Sequence, residues 1–286
     1  MENVIIVRYG EIGIKSRWVR KEFENILIDN LSRALVNNNI EIEKISKVGG
    51  RIYVWCSDIK GALKIFKNVF GIVSYSPAEF ISPNLTEMKE YAIKIYKKNV
   101  GKKFRITTTR RDKKFPLTSM EISSEIGAHI VENMNAKVDL NNYELNICFE
   151  INENDAYVFS EFYEGYGGLP IGTQGKVLCY ISEKKESEKN AFLMARRGCE
   201  IILAGKIKYL HEFSKKFEKQ YYHFKESMKI IEMEEFNFED LKKIAKMEDA
   251  KAIVLEKSKM AKFENVSELP IFYPSISSEL SFYILN

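Results

Sequence analysis

The sequence predicts a mixed α/β protein in which α+β units precede an alternating, parallel-sheet unit. Three observations carry this. Helical periodicity and hairpin signals interleave up to about residue 165. A run containing Gly165, Gly167, Gly168, Pro170, Gly172 and Gly175 then interrupts the pattern. Beyond Lys176, apolar strand-like runs alternate with helical ones, as parallel strands with crossover helices require.

In chain order, Val4 to Val7 reads as a buried strand that stops at Gly10. From Trp18 to about Asn37 the residues Val19, Phe23, Leu27, Leu31 and Leu35 fall on one helical face. Strands over Ile40 to Val48 and Arg51 to Trp55 meet at Gly49-Gly50, a hairpin signal. Asp58 reads as the N-cap of a helix carrying Leu63, Ile65, Phe66 and Val69 and ended by Gly71. A strand from Val73 to Ile81 follows. Asn84 and Glu87 then read as a capping-box pair ahead of Met88, Tyr91, Ala92 and Ile95. Lys103 to Thr109 reads as strand, Arg110 to Thr118 as a basic loop with Pro116, and Ser119 to Asn133 as helix. Strands over Tyr143 to Ile151 and Ala156 to Tyr163 pair across Asn154-Asp155. The last unit reads strand Lys176 to Ser182, helix to Arg197 with Gly198 as its stop, and strand Glu200 to Leu203. It continues as helix, strand, helix and a strand over Ala252 to Leu255.

Composition narrows the class. At 286 residues, with 45% hydrophobic and 29% charged residues, the chain reads as a soluble globular protein rather than a disordered one. No apolar stretch approaches the ~18 residues of a membrane span. Met1 to Val7 has neither a basic run before it nor a cleavage site, so the expected location is cytoplasmic. Cys56, Cys148, Cys179 and Cys199 lie far apart, which predicts free buried thiols and neither disulfides nor a metal site.

The net charge of +4 decides little, whereas its distribution decides more. Between Lys94 and Lys114 every charged side chain except Asp112 is basic, and between Tyr143 and Glu164 every one is acidic. Such a band suits an anionic partner, although a solvated lysine-rich helix face reads the same way.

Three runs add a resemblance. Val7-Arg8-Tyr9-Gly10-Glu11-Ile12, followed by Lys15, Arg17 and Phe23, is similar to the opening of the tRNA 4-thiouridine synthetases, also called thiamine-biosynthesis sulfurtransferases. Lys114-Phe115-Pro116, Ser119-Met120-Glu121 and Glu125-Ile126-Gly127 with His129-Ile130 resemble that family's THUMP domain. Gly167-Gly168-Leu169-Pro170-Ile171-Gly172 and Gly175-Lys176-Val177 resemble its linker into the nucleotide-binding domain. The resemblance implies a ferredoxin-like domain over 1–58, a THUMP domain over 59–165, a glycine-rich linker over 166–175 and a Rossmann-like PP-loop domain over 176–286. It further implies tRNA as partner, with THUMP holding the acceptor end, and a homodimer.

Departures from the family pattern begin after Lys176. Where the family carries Ser-Gly-Gly-x-Asp-Ser, whose amides cradle the pyrophosphate of ATP, this chain reads Ser182-Glu183-Lys184-Lys185-Glu186-Ser187. Both glycines are replaced, and side chains there obstruct backbone approach to a phosphate. The family's Thr-Gly-Glu/Asp-Ser segment becomes Leu255-Glu256-Lys257-Ser258, and its Pro-x-x-Arg-Pro becomes Pro270-Ile271-Phe272-Tyr273-Pro274. No cysteine follows Cys199 to match the family's sulfur-relaying cysteine. The expectation is a tRNA-binding protein with a degenerate PP-loop and no catalytic residues. Such a protein needs no cofactor, although the family uses ATP and magnesium; a separate catalytic or sulfur-carrier protein would supply the chemistry. The alternative is an active or partner-assisted tRNA sulfurtransferase with a divergent loop.

Candidate tRNA-binding residues are Lys15, Arg17 and Arg20 beside the first helix start, Arg51 after the hairpin, and Arg110, Arg111, Lys113 and Lys114 in the basic loop. Phe115 either stacks on an unpaired base or anchors that loop to the core. His129 reads as structural, and His211 and His223 lack partners at ligand spacing.

Overall fold

The computed structural model describes residues 3–111, 115–152, 154–220, 228–262 and 269–276. Two compact units divide the chain, and it crosses between them repeatedly. One comprises residues up to Val7, Glu43–Ile59 and Tyr75–Tyr163; the other comprises Arg8–Ile42, Lys60–Ser74 and everything from Glu164 onward.

The first unit holds a sheet of eight strands among the described residues. In chain order they are β1 (Asn3–Tyr9), β2 (Ile42–Val48), β3 (Arg51–Cys56), β4 (Ile72–Ile81), β5 (Phe104–Arg110), β6 (Leu145–Ile151), β7 (Ala156–Phe159) and β8 (Tyr163–Glu164). Their order is β2-β3-β1-β4-β7-β6-β5, with β8 pairing off β4. Gly49 and Gly50, at φ +56° and +79°, make the β2–β3 turn, as the hairpin signal predicts. Along α3 (Leu85–Lys97) the residues Met88, Ala92 and Tyr96 face inward, and along α4 (Ser119–Met134) so do Ile122, Ile126 and Ile130. Both stripes recur every fourth residue and meet Phe104, Ile106, Ile147 and Phe149 of the sheet. β5 and β6 run parallel, with Ile106 opposite Ile147.

One cap differs from the sequence reading. Asn84 accepts the Glu87 N–H at 2.8 Å, but the Glu87 carboxylate takes the Ser82 N–H instead of closing a reciprocal box. The complete box is at Thr118 and Glu121, where each side chain accepts the other's backbone N–H.

The second unit contains α1 (Arg17–Val36), α2 (Ile59–Phe66) and a five-stranded parallel sheet. Its strands are β9 (Lys176–Ile181), β10 (Glu200–Gly205), β11 (Lys229–Glu232), β12 (Ala250–Val254) and β13 (Ile271–Phe272). They lie in the order β11-β10-β9-β12-β13, every pair parallel. Helices α5 (Lys185–Arg196), α6 (Ile207–Gln220) and α7 (Phe238–Met247) connect them. Val177, Cys179 and Ile181 pack on one face with Phe192 and Phe213. Leu178 and Tyr180 pack on the other with Leu241 and Ile253. Burial on both faces explains why these strands read as continuous apolar runs. The strand order reverses direction at β9, so the ends of β9 and β12 mark the switch point at which α/β sheets commonly hold ligands.

The glycine-rich segment is packed within this unit. Gly167 N–H donates to Ile72 O at 2.7 Å, Leu169 N–H to Arg196 O at 2.9 Å, and the Asn30 amide of α1 to Ile171 O at 3.1 Å. Gly168, at φ +75°, could not carry a side chain, since a Cβ there would lie 2.1 Å from Arg196 O.

Candidate functional site

Three constellations carry chemistry. The first gathers arginines around a buried acid in the first unit. Glu150 sits on β6 inside an apolar run and is almost fully buried. Its carboxylate accepts from Arg51 Nε at 3.2 Å and lies 3.8 Å from Arg111 Nη2. Arg51 also donates to Gly50 O at 3.1 Å, and Arg111 to Gly49 O, so both guanidiniums grip the hairpin turn. Each stays about one-fifth exposed. Nearby, the Asn152 amide lies 3.3 Å from the Tyr53 hydroxyl, and burial pushes that phenol up from its ordinary value.

Arg110 belongs to the loop itself, donating to Phe115 O at 2.9 Å and to Leu117 O at 2.6 Å. Phe115 packs against the core of β5, β6, α3 and α4, so it anchors the loop. Lys113 and Lys114, with Asp112, lie outside the described residues. The other candidate cations divide in the same way. Arg20 donates to Gly13 O and reaches Lys15 O at 3.4 Å, which holds the turn ahead of α1. Lys15 and Arg17 form no ion pair among the described residues, and Arg17 is exposed. His129 lies 3.2 Å from the Asn133 amide on α4, a local contact.

Between β5 and α4 runs a second feature, a groove of about 770 Å³ lined by Thr107, Thr108, Ser119, Ser123, Gly127 and Leu140. Ser123 Oγ donates to Thr108 Oγ1 at 2.9 Å, and a Cβ on Gly127 would meet nothing closer than Ile106 at 4.0 Å. Met120 (83% exposed) and Leu140 (66%) stand at its rim. Ser119, Met120 and Gly127 belong to the runs that resemble the THUMP domain, whereas Thr107, Thr108, Ser123 and Leu140 belong to none of them, because groove width is a tertiary property.

The third constellation lies just beyond the ends of β9 and β12. Ser182 N–H donates to Ser187 Oγ at 3.1 Å, Ser187 Oγ to Lys184 O at 2.7 Å, and Lys184 N–H to Ser182 Oγ at 3.1 Å. The loop 182–187 therefore closes on itself. Glu256, 3% exposed, accepts Ser182 Oγ at 3.2 Å and lies between Lys184 Nζ at 3.8 Å and Lys259 Nζ at 3.7 Å. Glu183 and Lys185 are exposed. Burial alone would raise the Glu186 carboxyl, but the Lys257 N–H at 2.9 Å and the Ser275 hydroxyl at 2.7 Å outweigh it and hold the group below the usual carboxylate range.

All four cysteines are free and buried. Burial pushes the Cys56 and Cys199 thiols up to about 11, which keeps them protonated and weakly reactive. Among the described residues, no three His, Cys, Asp or Glu side chains converge as a metal site, and no helix is long and apolar enough to cross a membrane.

Comparison with known proteins decides the family. Residues 4–76 match the ThiI ferredoxin-like domain, residues 82–161 the THUMP domain and residues 172–271 the thiamine biosynthesis protein ThiI. The chain belongs to the ThiI family. Among ThiI relatives, a "probable tRNA sulfurtransferase" of Thermococcus kodakarensis is 43% identical over 208 residues, covering 71% of this chain and 55% of that protein. Its namesake in Methanocaldococcus jannaschii is 42% identical over 207 residues, covering 70% and 54%. The chain thus spans about half the length of the curated relatives it matches. The crystal structure of PH1313 from Pyrococcus horikoshii superposes with a TM-score of 0.83 at 34% identity, covering 95% of this chain and 94% of that one. A 4-thiouridine synthetase–RNA complex with bound ATP shares the fold, with a TM-score of 0.74 at 23% identity over 96% and 81% of the two chains.

Proposed function

We propose that this chain is a tRNA-binding member of the ThiI family whose adenylation loop no longer holds ATP. Family membership and the THUMP domain support the RNA partner. The candidate binding residues in this reading are Arg51, Arg111, Lys113 and Lys114, and the β5–α4 groove receives unpaired nucleotides of the acceptor end. Lys15 and Arg17 add phosphate contacts. Arg110 and Arg20 brace the loops that carry their neighbours.

The observation that carries the second half of the proposal is the closed loop at 182–187. A phosphate cradle needs free, converging amides. Here the Ser182 and Lys184 N–H groups are bonded to side chains of the loop itself, and the Glu256 carboxylate lies against Lys184. The residues present do not fit ATP and its magnesium. Isothermal calorimetry tests this: the expected result is no ATP binding tighter than ~1 mM, a deficit of roughly 4 kcal/mol relative to a micromolar site. A tRNA titration alongside should show binding that weakens steeply with salt.

The competing reading is an active or partner-assisted tRNA sulfurtransferase with a divergent loop. Ser182 and Ser187, which keep the ends of the family motif, and the cations Lys184 and Lys259 favour it. Micromolar ATP affinity, or pyrophosphate release in the presence of tRNA, would establish it.

A further inference from the structure

Trp18 is 74% exposed and Ile14, four residues earlier, is 85% exposed. Trp18 is the most exposed aromatic side chain among the described residues, ahead of Phe162 at 51%, and it stands next to a second exposed apolar residue. The other tryptophan, Trp55, shows the ordinary arrangement: it is 6% exposed, with Lys44 Nζ 4.9 Å from its ring.

The surroundings indicate what covers Trp18. Lys15, Arg17 and Lys21 lie within three residues of it, and none forms an ion pair among the described residues. Glu22 is the acid on the same turn. Arg20, instead of reaching outward, ties down the carbonyls of Gly13 and Lys15 and so holds the turn that presents Ile14 beside the start of α1. The result is an exposed apolar pair on a braced backbone, with three cations and one acid close by in sequence. Flat aromatic faces flanked by Lys and Arg are how proteins engage unpaired nucleotides: the ring stacks on a base while the cations follow the phosphates.

We propose that Trp18 is a stacking platform for an unpaired base of bound RNA, with Lys15, Arg17 and Lys21 contacting the adjoining phosphates. This rests on the RNA-binding reading above and adds to it a stacking contact next to Lys15 and Arg17. The site has no requirement for base identity, since every base offers a π-face. It excludes fully paired RNA from the ring itself.

The full-length chain tests this through its own fluorescence, because Trp55 is buried and Trp18 is not. Titration with tRNA and with a short oligouridylate should quench the emission of the wild type, whereas a blunt RNA duplex should quench it far less. Trp18→Ala should weaken oligouridylate binding by about 5- to 100-fold, and Trp18→Phe, which keeps a ring, should stay within about threefold of wild type. The slope of log affinity against log salt should be unchanged by Trp18→Ala, because stacking releases no counterions. Residual Trp55 emission in Trp18→Ala reports that the fold is intact. Unchanged affinity in Trp18→Ala, with tRNA still bound in a salt-dependent way, overturns the stacking assignment and leaves the RNA-binding reading in place. Absence of tRNA binding by the wild type overturns both. Emission that responds only to protein concentration, or only to anionic phospholipid vesicles, also overturns it and assigns the platform to a second copy or to a membrane surface.

Discussion

At residue scale, the structure shows which described cations of the basic band are bound within the protein. A local count finds only Asp112 among Arg110, Arg111, Lys113 and Lys114 and reads the loop as a bare positive patch. The compensating acid is Glu150, far along the chain but within reach of Arg51 and Arg111. Paired and partly buried guanidiniums reorganise less on binding, and a lysine that contacts a phosphate releases a counterion. Lys113→Ala with Lys114→Ala should therefore lower the slope of log affinity against log salt by about 0.7–0.9 for each phosphate that is no longer neutralised. The thermal midpoint should not move. Arg110→Ala should instead lower stability, by about 1–2 kcal/mol for the two carbonyl bonds it makes, read by urea unfolding. Glu186 gives a pH signature. Its carboxyl is held below the usual range in the folded protein, so its contribution is complete above that range and is lost as pH falls through the lowered value. Glu186→Gln should flatten that part of the acid limb of a stability profile measured between about pH 3 and pH 6.

At the scale of elements, caps and glycines decide where helices and turns sit. Thr118 and Glu121 close a full capping box at α4, the helix that walls one side of the groove. Thr118→Ala should cost about 1 kcal/mol and speed amide exchange over the first turn of α4. Gly168 is under a stricter demand, since a Cβ would collide with the Arg196 carbonyl and the backbone is left-handed there. Gly168→Ala should destabilise the chain by roughly 3 kcal/mol or more, seen as a drop in the urea midpoint. The glycine-rich run shows why composition alone understates such a segment. Its glycines permit close approach to neighbouring backbone, and Leu169 and Ile171 between them are buried.

At the scale of the whole molecule, the order of segments along the chain is not the order of packing. α1 and α2 belong with the parallel-sheet unit, and Asn30 bonds Ile171 while Gly71 bonds Gly167. A chain truncated after Gly165 should therefore leave the apolar faces of α1 and α2 without their partners. The expected outcome is a lower thermal midpoint and loss of cooperative unfolding by circular dichroism, measured against full-length protein. A fragment that melts as sharply as the full chain would show that these helices are stable without residues 166–286.

The local elements were legible from the sequence because short-range physics sets them. Four-residue apolar spacing in α3 and α4, the Gly49-Gly50 turn and the continuous apolar runs of β9, β10 and β12 each follow from neighbours a few residues apart. The motif runs were legible too, since they pointed to the family whose domains match the chain. Glu150, Glu256 and the β5–α4 groove were not, although a carboxylate inside an apolar run is a hint that it has a partner. Which partner depends on strand order: Glu150 meets Arg51 and Arg111, and Glu256 meets Lys184, only because segments about 40 to 100 residues apart are brought to one place. The sequence by itself determined the elements, the family and the presence of surplus cations. Only the tertiary structure decided which cations are bound internally, because that depends on the sheet bringing a distant, desolvated carboxylate within about 4 Å of them.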